Sequence, residues 1–438
     1  MQATAVILAA GLGTRMKSAL PKTLHRIAGR TMLRHLLASC EEVFDRIVVV
    51  VGPDMQAVQK EAAPHTCVVQ QERRGTAHAA LTAAEHFGDG EVGVLYADNP
   101  LVRPETLRRL LHRRQNGDAR LALVAFHPPD PGCYGRVVVR DGAVQRVVEW
   151  ADADEEVRAV TLCNAGVLCA SAADMRRWLP AIRPTNTKGE YYITDTVALA
   201  VADGLTVAAV EAPAQELAGI NSRAELAAAE SEMQARLRQA AMEAGVTMID
   251  PASVFLCADT VLAQDVTIEP NVVFGPGVSV ASGALIRAFS HLDGCRIGPG
   301  CIIGPHARLR PGTALDANVH IGNFVEVKAS HVGAGTKANH LTYLGDAEIG
   351  EATNIGAGTI ICNYDGVAKH RTAIGARSFV GSDVTLVAPV RVGNGAFVAA
   401  GSTITEDVGD NAFAVARGRQ VTKPGRAAAM RAAKGEKS

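Results

Sequence analysis

From residue 262 onward an aliphatic or aromatic side chain recurs at every sixth position: Leu262, Ile268, Phe274, Val280 and Ile286, then Ile297, Ile303, Leu309, Leu315, Ile321 and Val327. The phase slips once between these two series, resumes at Ile349, Ile355 and Ile361, and holds again through Ile374, Val380, Leu386, Val392, Val398 and Ile404. Neither the period of a helix nor that of a strand produces this spacing. A parallel β-helix does: each coil has three short flat faces, each face turns one aliphatic residue inward, and the turns favour small residues. Its narrow bore, filled by stacked Val, Ile and Leu, also accounts for an aromatic content of only 4%. Between Ile361 and Ile374 the step is 13 residues instead of 12. It holds Asn363-Tyr364-Asp365-Gly366, a polar turn sequence that reads as a loop leaving the coil.

The first part of the chain is built differently. Residues 1–246 hold 17 of the 42 glycines and residues 247–438 hold 25, although the second stretch is shorter. In the first stretch, strand-like runs at residues 5–10, 47–51, 92–96 and 121–126 alternate with helical patterns, the signature of an α/β domain with a largely parallel sheet. Ser222-x-x-Glu225 then makes a capping box ahead of Ala- and Leu-rich sequence ending at Gly245. This predicts a connecting helix of about 22 residues, near 33 Å long. The expected organisation is a Rossmann-like α/β domain over residues 1–221, the connecting helix over 222–246, a β-helix over 247–420 and a basic tail over 421–438. From Arg417 to the end there are seven Lys or Arg against one Glu, suited to holding phosphates or simply to solvation.

Charge and hydropathy remove several partner classes. Forty-four Lys and Arg against 45 Asp and Glu leave a net charge of −1. No whole-molecule field favours nucleic acid or a membrane, and any anion must be held by a local site. The longest purely aliphatic run spans five residues, 47–51, against the roughly 20 that a membrane helix needs. Residues 1–10 lack the basic start and long apolar stretch of a signal peptide, so a cytosolic protein is expected. Nine Cys, an odd number with no C-x-x-C pair, fit reduced thiols in the core better than a disulfide framework or a zinc site.

Two regions carry chemistry. After the first strand-like run comes Leu8-Ala9-Ala10-Gly11-Leu12-Gly13-Thr14-Arg15-Met16, then Leu20-Pro21-Lys22. Glycines just past a strand let backbone amides approach phosphate oxygens, and Arg15 and Lys22 can neutralise charge on a transferring phosphoryl group. A lone G-x-G reads equally as an ordinary turn; the added Thr-Arg and Pro-Lys favour the phosphate site. Asp98 follows the run 92–96, at the ligand-facing edge of an open parallel sheet. It reads as a magnesium ligand or as a turn residue, since magnesium takes one or two protein carboxylates plus substrate phosphates. Asn221 reads, on spacing alone, as a helix-start residue. Gln70, Gly75 and Thr76 lie in a polar loop able to read a base, or in a merely solvated one.

In the second region, Arg310 and Lys328 are 18 residues apart, one coil. Stacked turns would align them on one edge, as a phosphate clamp or as two solvated cations. A histidine's ordinary pKa near neutrality suits general-base work. Of 13 in the chain, His340 stands out by its neighbourhood of Tyr343, Asn354 and Asn363 in a coil otherwise aliphatic and small.

LAAGLGTRM with LPK marks sugar nucleotidyltransferases at large. GEYYITD, GNFVEVK, HLTYLGDAEIG and NIGAGTIICNYDG are far more specific. Over about residues 3–420 the chain resembles the bacterial family of bifunctional N-acetylglucosamine-1-phosphate uridyltransferases and glucosamine-1-phosphate N-acetyltransferases. The resemblance implies a nucleotidyltransferase domain followed by a left-handed β-helix of hexapeptide repeats. It implies acetylation of glucosamine 1-phosphate by acetyl-CoA, then magnesium-dependent uridylyl transfer from UTP with release of pyrophosphate. Leu8, Ala9, Ala10, Gly11, Lys22, Gln70, Gly75, Thr76, Tyr96, Asp98, Gly135, Glu149, Asn164 and Asn221 would then line the uridine nucleotide and sugar site, with Asp98 and Asn221 on Mg²⁺. Arg310, Lys328, Tyr343, Asn354 and Lys369 would hold the amino sugar phosphate, with His340 as base. Ala357, Asn363, Tyr364, Ser382, Ala400 and Arg417 would face acetyl-CoA.

The family's homotrimers share the acetyl site between chains, and a coil with three faces is compatible with that symmetry. Ala97, Asn99, Trp150-Ala151 and Ala165 depart from the family pattern, and all of them crowd the uridylyl site. Two other readings compete: a single-activity nucleotidyltransferase with an oligomerising or regulatory β-helix, and a non-catalytic regulatory subunit on the same plan. Retention of Lys22, Asp98, His340 and Asn363 together argues against both.

Overall fold

Valine runs such as 48–51 can be buried on both faces only in a sheet covered by helices on each side. Nine strands form that sheet: β1 (Ala3–Leu8), β2 (Arg46–Val51), β3 (Thr66–Val69), β4 (Glu91–Tyr96), β5 (Leu121–Phe126), β6 (Arg136–Arg140), β7 (Ala143–Val148), β8 (Cys163–Ser171) and β9 (Val207–Glu211). Their order is β9-β5-β8-β4-β1-β2-β3, with the β6–β7 hairpin joined to β8. Only β8 and that hairpin run antiparallel. Alternate residues of β2 face opposite layers. Ile47, Val49 and Val51 meet Leu33, Leu36 and Leu37 of the helix Met32–Glu41, while Val48 and Val50 meet Ala77 and Ala80 of the helix Thr76–Thr82. Polar loops leave the C-terminal ends of β1 and β4, where such sheets bind ligands.

The computed structural model describes residues 2–433. The chain divides into two units, Met1–Arg236 and Leu237–Ser438, the division falling inside the helix Arg223–Glu243 of 21 residues. Ser222 Oγ accepts from Glu225 N at 3.2 Å. The reciprocal bond reaches one residue further back than a standard capping box: Glu225 Oε2 accepts from the backbone N–H of Asn221 at 2.6 Å. The tail carries a short helix, Arg426–Ala433, and residues 434–438 with Lys434 and Lys437 lie outside the described residues. No described helix is long and apolar enough to cross a membrane. None of the nine cysteines is joined in a disulfide, and six of them are buried.

The second unit is a parallel β-helix of three sheets with 10, 8 and 8 strands. One sheet turns Ile268, Ile286, Ile303, Ile321, Ala338, Ile355, Val380 and Val398 inward; the next turns Phe274, Leu292, Leu309, Val327, Leu344, Ile361, Leu386 and Ile404 inward. The third contributes Val280, Ile297, Leu315, Val332, Ile349, Ile374 and Val392. Each full burial of such a side chain stabilises by about 1.5–3 kcal/mol.

The slip expected between the first two series falls at one corner, and two more occur at that same corner further along. From the second sheet to the third, five residues separate Leu292 from Ile297, Val327 from Val332 and Leu344 from Ile349, against six elsewhere. At that same corner the step from Ile361 to Ile374 is 13 residues, and the loop 363–371 leaves the coil between the two strands. A corner that gains or loses residues leaves the pairing on the flat faces intact, and the other two corners keep six throughout.

Candidate active sites

In the first unit the loops after β1 and β4 form a cleft of about 450 Å³. Leu8, Ala9, Ala10, Gly11, Arg15, Lys22, Gln70, Gly75, Thr76, Tyr96, Asp98 and Glu149 all line it. At its floor Lys22 Nζ lies 2.6 Å from Asp98 Oδ2 and 2.9 Å from Asn221 Oδ1. Asn221 arrives from a distant loop, pinned by Ile220 N donating to Asp98 O at 2.9 Å and by the capping bond to Glu225. A carboxylate and an amide oxygen thus converge on one cation, a donor set of hard oxygens that fits magnesium. Burial pushes the Glu149 carboxyl above the usual carboxylate range, partly offset by the hydroxyl of Thr194. It likewise pushes the Tyr192 phenol up to about 12. The hydroxyls of Tyr192 and Thr23, both in the cleft wall, are buried without a hydrogen-bond partner.

Gly135, Asn164 and Asn221 do not line the cleft directly. Gly135 backs Glu149, whose carboxylate oxygens would lie 3.4 Å from a Cβ there, and its carbonyl accepts from Asn164 N at 2.9 Å. Asn164 Oδ1 in turn accepts from Gly166 N, shaping the kink in β8.

The acyl-site residues fall into two groups on different faces of the β-helix. In the first, Lys328 Nζ lies 3.3 Å from Asp346 Oδ2, and Asn363 Nδ2 donates to that same oxygen and to Tyr343 Oη. Arg310 Nη1 pairs with Glu326 Oε1 at 2.7 Å. The coil register sets Leu309 against Val327, and so Arg310 beside Lys328. Lys369 closes the group from the loop: the neighbouring Lys328 ammonium, with Arg310 adding to it, holds the Lys369 amine below the usual lysine range. Three cations therefore crowd one edge, as a phosphate clamp requires.

The second group sits on the preceding face. His340 Nδ1 lies 2.7 Å from Asn323 Oδ1, its partner one coil below. Asn354 follows one coil above in the same sheet. Of its expected neighbours, Asn354 shares the sheet of His340, while Tyr343 begins the strand on the next face just past Leu341-Thr342 and is joined there by Asn363. Ala357, Ser382 and Ala400 make a ladder up the adjoining corner through Asp383 N to Ala357 O, Gly401 N to Ser382 O, and Arg417 Nη1 to Ala400 O at 2.6 Å. Tyr364 stays exposed in the loop, its hydroxyl on Gly366 O.

Residues 5–167 match the MobA-like NTP transferase domain, and residues 294–329 match the bacterial transferase hexapeptide of six repeats. The Bifunctional protein GlmU of Acidiphilium cryptum is 64% identical over all of both chains. Those of Gluconacetobacter diazotrophicus and Granulibacter bethesdensis are 63% and 62% identical, over 98% of this chain and 94% and 96% of theirs. The chain belongs to the bifunctional GlmU family. It is a bifunctional transferase of UDP-N-acetylglucosamine synthesis, an acetyltransferase and a uridylyltransferase on one polypeptide, and its β-helix is the left-handed hexapeptide kind.

Two of the departures from the GlmU pattern meet through one side-chain-to-backbone bond. Asn99, buried, donates its amide to the carbonyl of Ala165. Trp150 is clasped between the guanidinium groups of Arg136 and Arg158, 4.8 and 4.6 Å from its ring. Sequence reasoning missed Arg73, Thr23, Lys188, Glu190 and Tyr192 in the cleft, and Asp346 and Asn323 in the β-helix. Arg73 spans the loop so that its Nε meets Ala10 O at 2.6 Å. Its signal was present in the Gln-Gln-Glu-Arg-Arg-Gly-Thr run, as those of Asp346 and Asn323 were in HLTYLGD and GNFVEVK.

Proposed function

We propose that the two clusters are the two reaction centres of the family, each in its own unit. On the β-helix, Arg310, Lys328 and Lys369 hold the phosphate of glucosamine 1-phosphate, with Tyr343 and Asn354 on the sugar. The Nδ1–H of His340 donates to Asn323 Oδ1, which leaves the Nε2 lone pair to take a proton from the sugar amine. The nitrogen bonds to the acyl carbon as the carbon–sulfur bond of acetyl-CoA breaks, and the proton passes to the departing thiolate. Ala357, Ser382, Ala400 and Arg417 on the corner, with Asn363 and Tyr364, seat acetyl-CoA.

Since His340 and the cation group occupy different faces of one chain, the site is completed when a corner of one copy meets the neighbouring face of another. That supports a homotrimer around a three-fold axis.

In the cleft, the product's phosphate oxygen attacks the α-phosphorus of UTP in line, and the bond to the β-phosphate breaks to release pyrophosphate. The residues after β1, with Gln70, Gly75 and Thr76, position the nucleotide; Gly135, Glu149 and Asn164 shape the sugar end; Arg15 and Lys22 neutralise phosphate charge. Asp98 and Asn221 would hold Mg²⁺, which supplies charge neutralisation at the phosphates when bound.

The observation that carries this reading is the pairing of a convergent Lys22, Asp98 and Asn221 set in one unit with an oriented His340 in the other. Two assays test it: pyrophosphate release from UTP with N-acetylglucosamine 1-phosphate, and thiol release from acetyl-CoA with glucosamine 1-phosphate. His340→Ala is expected to lose thiol release and keep pyrophosphate release; Asp98→Ala, the reverse. Loss of both in folded His340→Ala refutes separate centres.

A further inference from the structure

We propose that Lys22 is a built-in stand-in for the divalent cation, so that the metal enters the cleft by exchange with its ammonium rather than by addition. The proposal rests on the reading that Asp98 and Asn221 hold the metal. Lys22 Nζ occupies the one position that both oxygens face, 2.6 Å from Asp98 Oδ2 and 2.9 Å from Asn221 Oδ1. The pair is mostly shielded, with side-chain exposures of 12% and 20%.

The lysine is placed there by its surroundings. Its stem starts at the short turn Lys22–Leu24 and crosses Gly13, where a Cβ would come within 2.5 Å of Lys22 Cβ. Gly13 is at φ +62°, a conformation that suits glycine. The other side of the position is fixed by the bond from Ile220 N to Asp98 O and by the cap on Asn221.

Two consequences follow from charge alone. A half-buried Asp98 left without a cation would be costly, and Lys22 prevents that before any ligand arrives. An ammonium and a divalent ion cannot share a pair of oxygens, because like charges at such a distance repel strongly in a shielded site. The metal therefore displaces Lys22, and the displaced ammonium needs a new anion. Leu8–Gly11 and Arg15 carry no anion, and the cleft's Glu149 already has a partner in Thr194; the phosphates of the incoming nucleotide supply one. Nucleotide and metal then favour one another through Lys22, and by linkage the coupling is reciprocal.

The test is Mn²⁺ titrated into the full chain without nucleotide, free Mn²⁺ being read by electron paramagnetic resonance. Lys22→Met is expected to bind Mn²⁺ about tenfold or more tightly than wild type, a coupling of ordinary size between two ligands. Lys22→Arg, which keeps the cation, is expected to stay as weak as wild type. Asp98→Ala in the Lys22→Met background is expected to abolish the gain. Equal or weaker Mn²⁺ binding by Lys22→Met overturns the proposal. Water-proton relaxation by Mn²⁺ in the presence of UTP separates the two layers of the argument. If Asp98→Ala removes the nucleotide-dependent enhancement while Lys22→Met gains nothing, the metal site stands and the exchange falls. If Asp98→Ala leaves the enhancement intact, both fall.

Discussion

Asn323→Ala is the most informative single change on the acetyl side, because Asn323 acts only through His340. The two residues are register partners on adjacent coils, and the side-chain contact is 2.7 Å. Deleting the amide leaves the inward residue Ile321 and the strand pairing untouched, but frees the imidazole to rotate and to place its proton on Nε2. A neutral hydrogen bond has a net worth of about 0.5–1.5 kcal/mol. At about 1.4 kcal/mol per decade this is a fall of about two- to twelvefold in kcat for thiol release. The ceiling is the base itself, whose removal in His340→Ala costs on the order of a hundredfold or more. KM for glucosamine 1-phosphate should stay put, since the cations proposed to hold the phosphate lie on another face. Asn323→Asp supplies the discriminating readout. A carboxylate against Nδ1 favours the imidazolium, so the acid limb of the rate profile should move to higher pH and activity should recover in alkali. Steady-state thiol release measured across pH decides the matter. An unchanged kcat in Asn323→Ala, a change confined to KM, or an acid limb that does not move in Asn323→Asp refutes the positioning role.

Three further expectations follow from the same geometry. In Gly345→Ala the added methyl would press on Tyr343 Oη and on Asn363 Nδ2, so KM for glucosamine 1-phosphate should rise while pyrophosphate release is unaltered; an unchanged KM counts against the cation group as the sugar site. Lys369→Ala removes one of three clustered cations, and a charge-assisted contact of ordinary strength predicts a KM rise of about tenfold, detectable by titrating the amino sugar phosphate. His331 sits between Glu348 and Asp316, whose carboxylates raise its pKa above 6.5. Its contribution to β-helix stability is therefore complete below 6.5 and lost as pH rises through the elevated folded value. All three groups are more than a third exposed, so the effect is screened and small. The difference in unfolding temperature between wild type and His331→Ala should shrink as pH is raised, and a difference that grows would contradict the ion triad.

How much of this could be read from the chain depends on what each residue answers to. Ile303, Leu309, Val327 and Ile355 answer to a bore that accepts one aliphatic per face, so their spacing alone disclosed the coil. Val332, Ala338 and Leu344 occupy the same bore, yet they fall out of phase with the series ending at Val327 because the five-residue corner before Val332 shifts the count, and Ala338 is small. The cleft was legible through Lys22, Asp98 and the glycines after β1, whose types are tied to phosphate chemistry. Arg73 and Asn323 stand inside motifs that the sequence displays, but the neighbour each one meets (Ala10 and His340) is set by tertiary contact that no local pattern reports, as is the place of Tyr192 in the cleft wall. The division of the residues around His340 between two faces is hidden for a related reason. Residues 340 and 343 are close in sequence, but a corner of the coil lies between them and sends their side chains to different faces.

Both centres also share an electrostatic arrangement that bears on how they work. Lys22 rests on Asp98, Arg310 on Glu326 and Lys328 on Asp346, so most of the cations expected to meet phosphate are already paired with a carboxylate. Such pairing holds the cations in position before substrate arrives, which lowers the ordering cost of binding. It also makes part of each interaction an exchange of one anion for another, which keeps ground-state binding weaker than three free cations would give. Binding energy is then available for charge that develops later, at the α-phosphorus in the cleft and at the tetrahedral carbon on the β-helix. Lys369, exposed and crowded by Lys328, is the cation in the acetyl group without a carboxylate of its own among the contacts described. Its deletion should therefore weaken phosphate binding directly, whereas deletion of Asp346 should loosen Lys328 and Asn363 together. A larger effect on kcat than on KM in Asp346→Ala, with the opposite split in Lys369→Ala, is the outcome this arrangement demands.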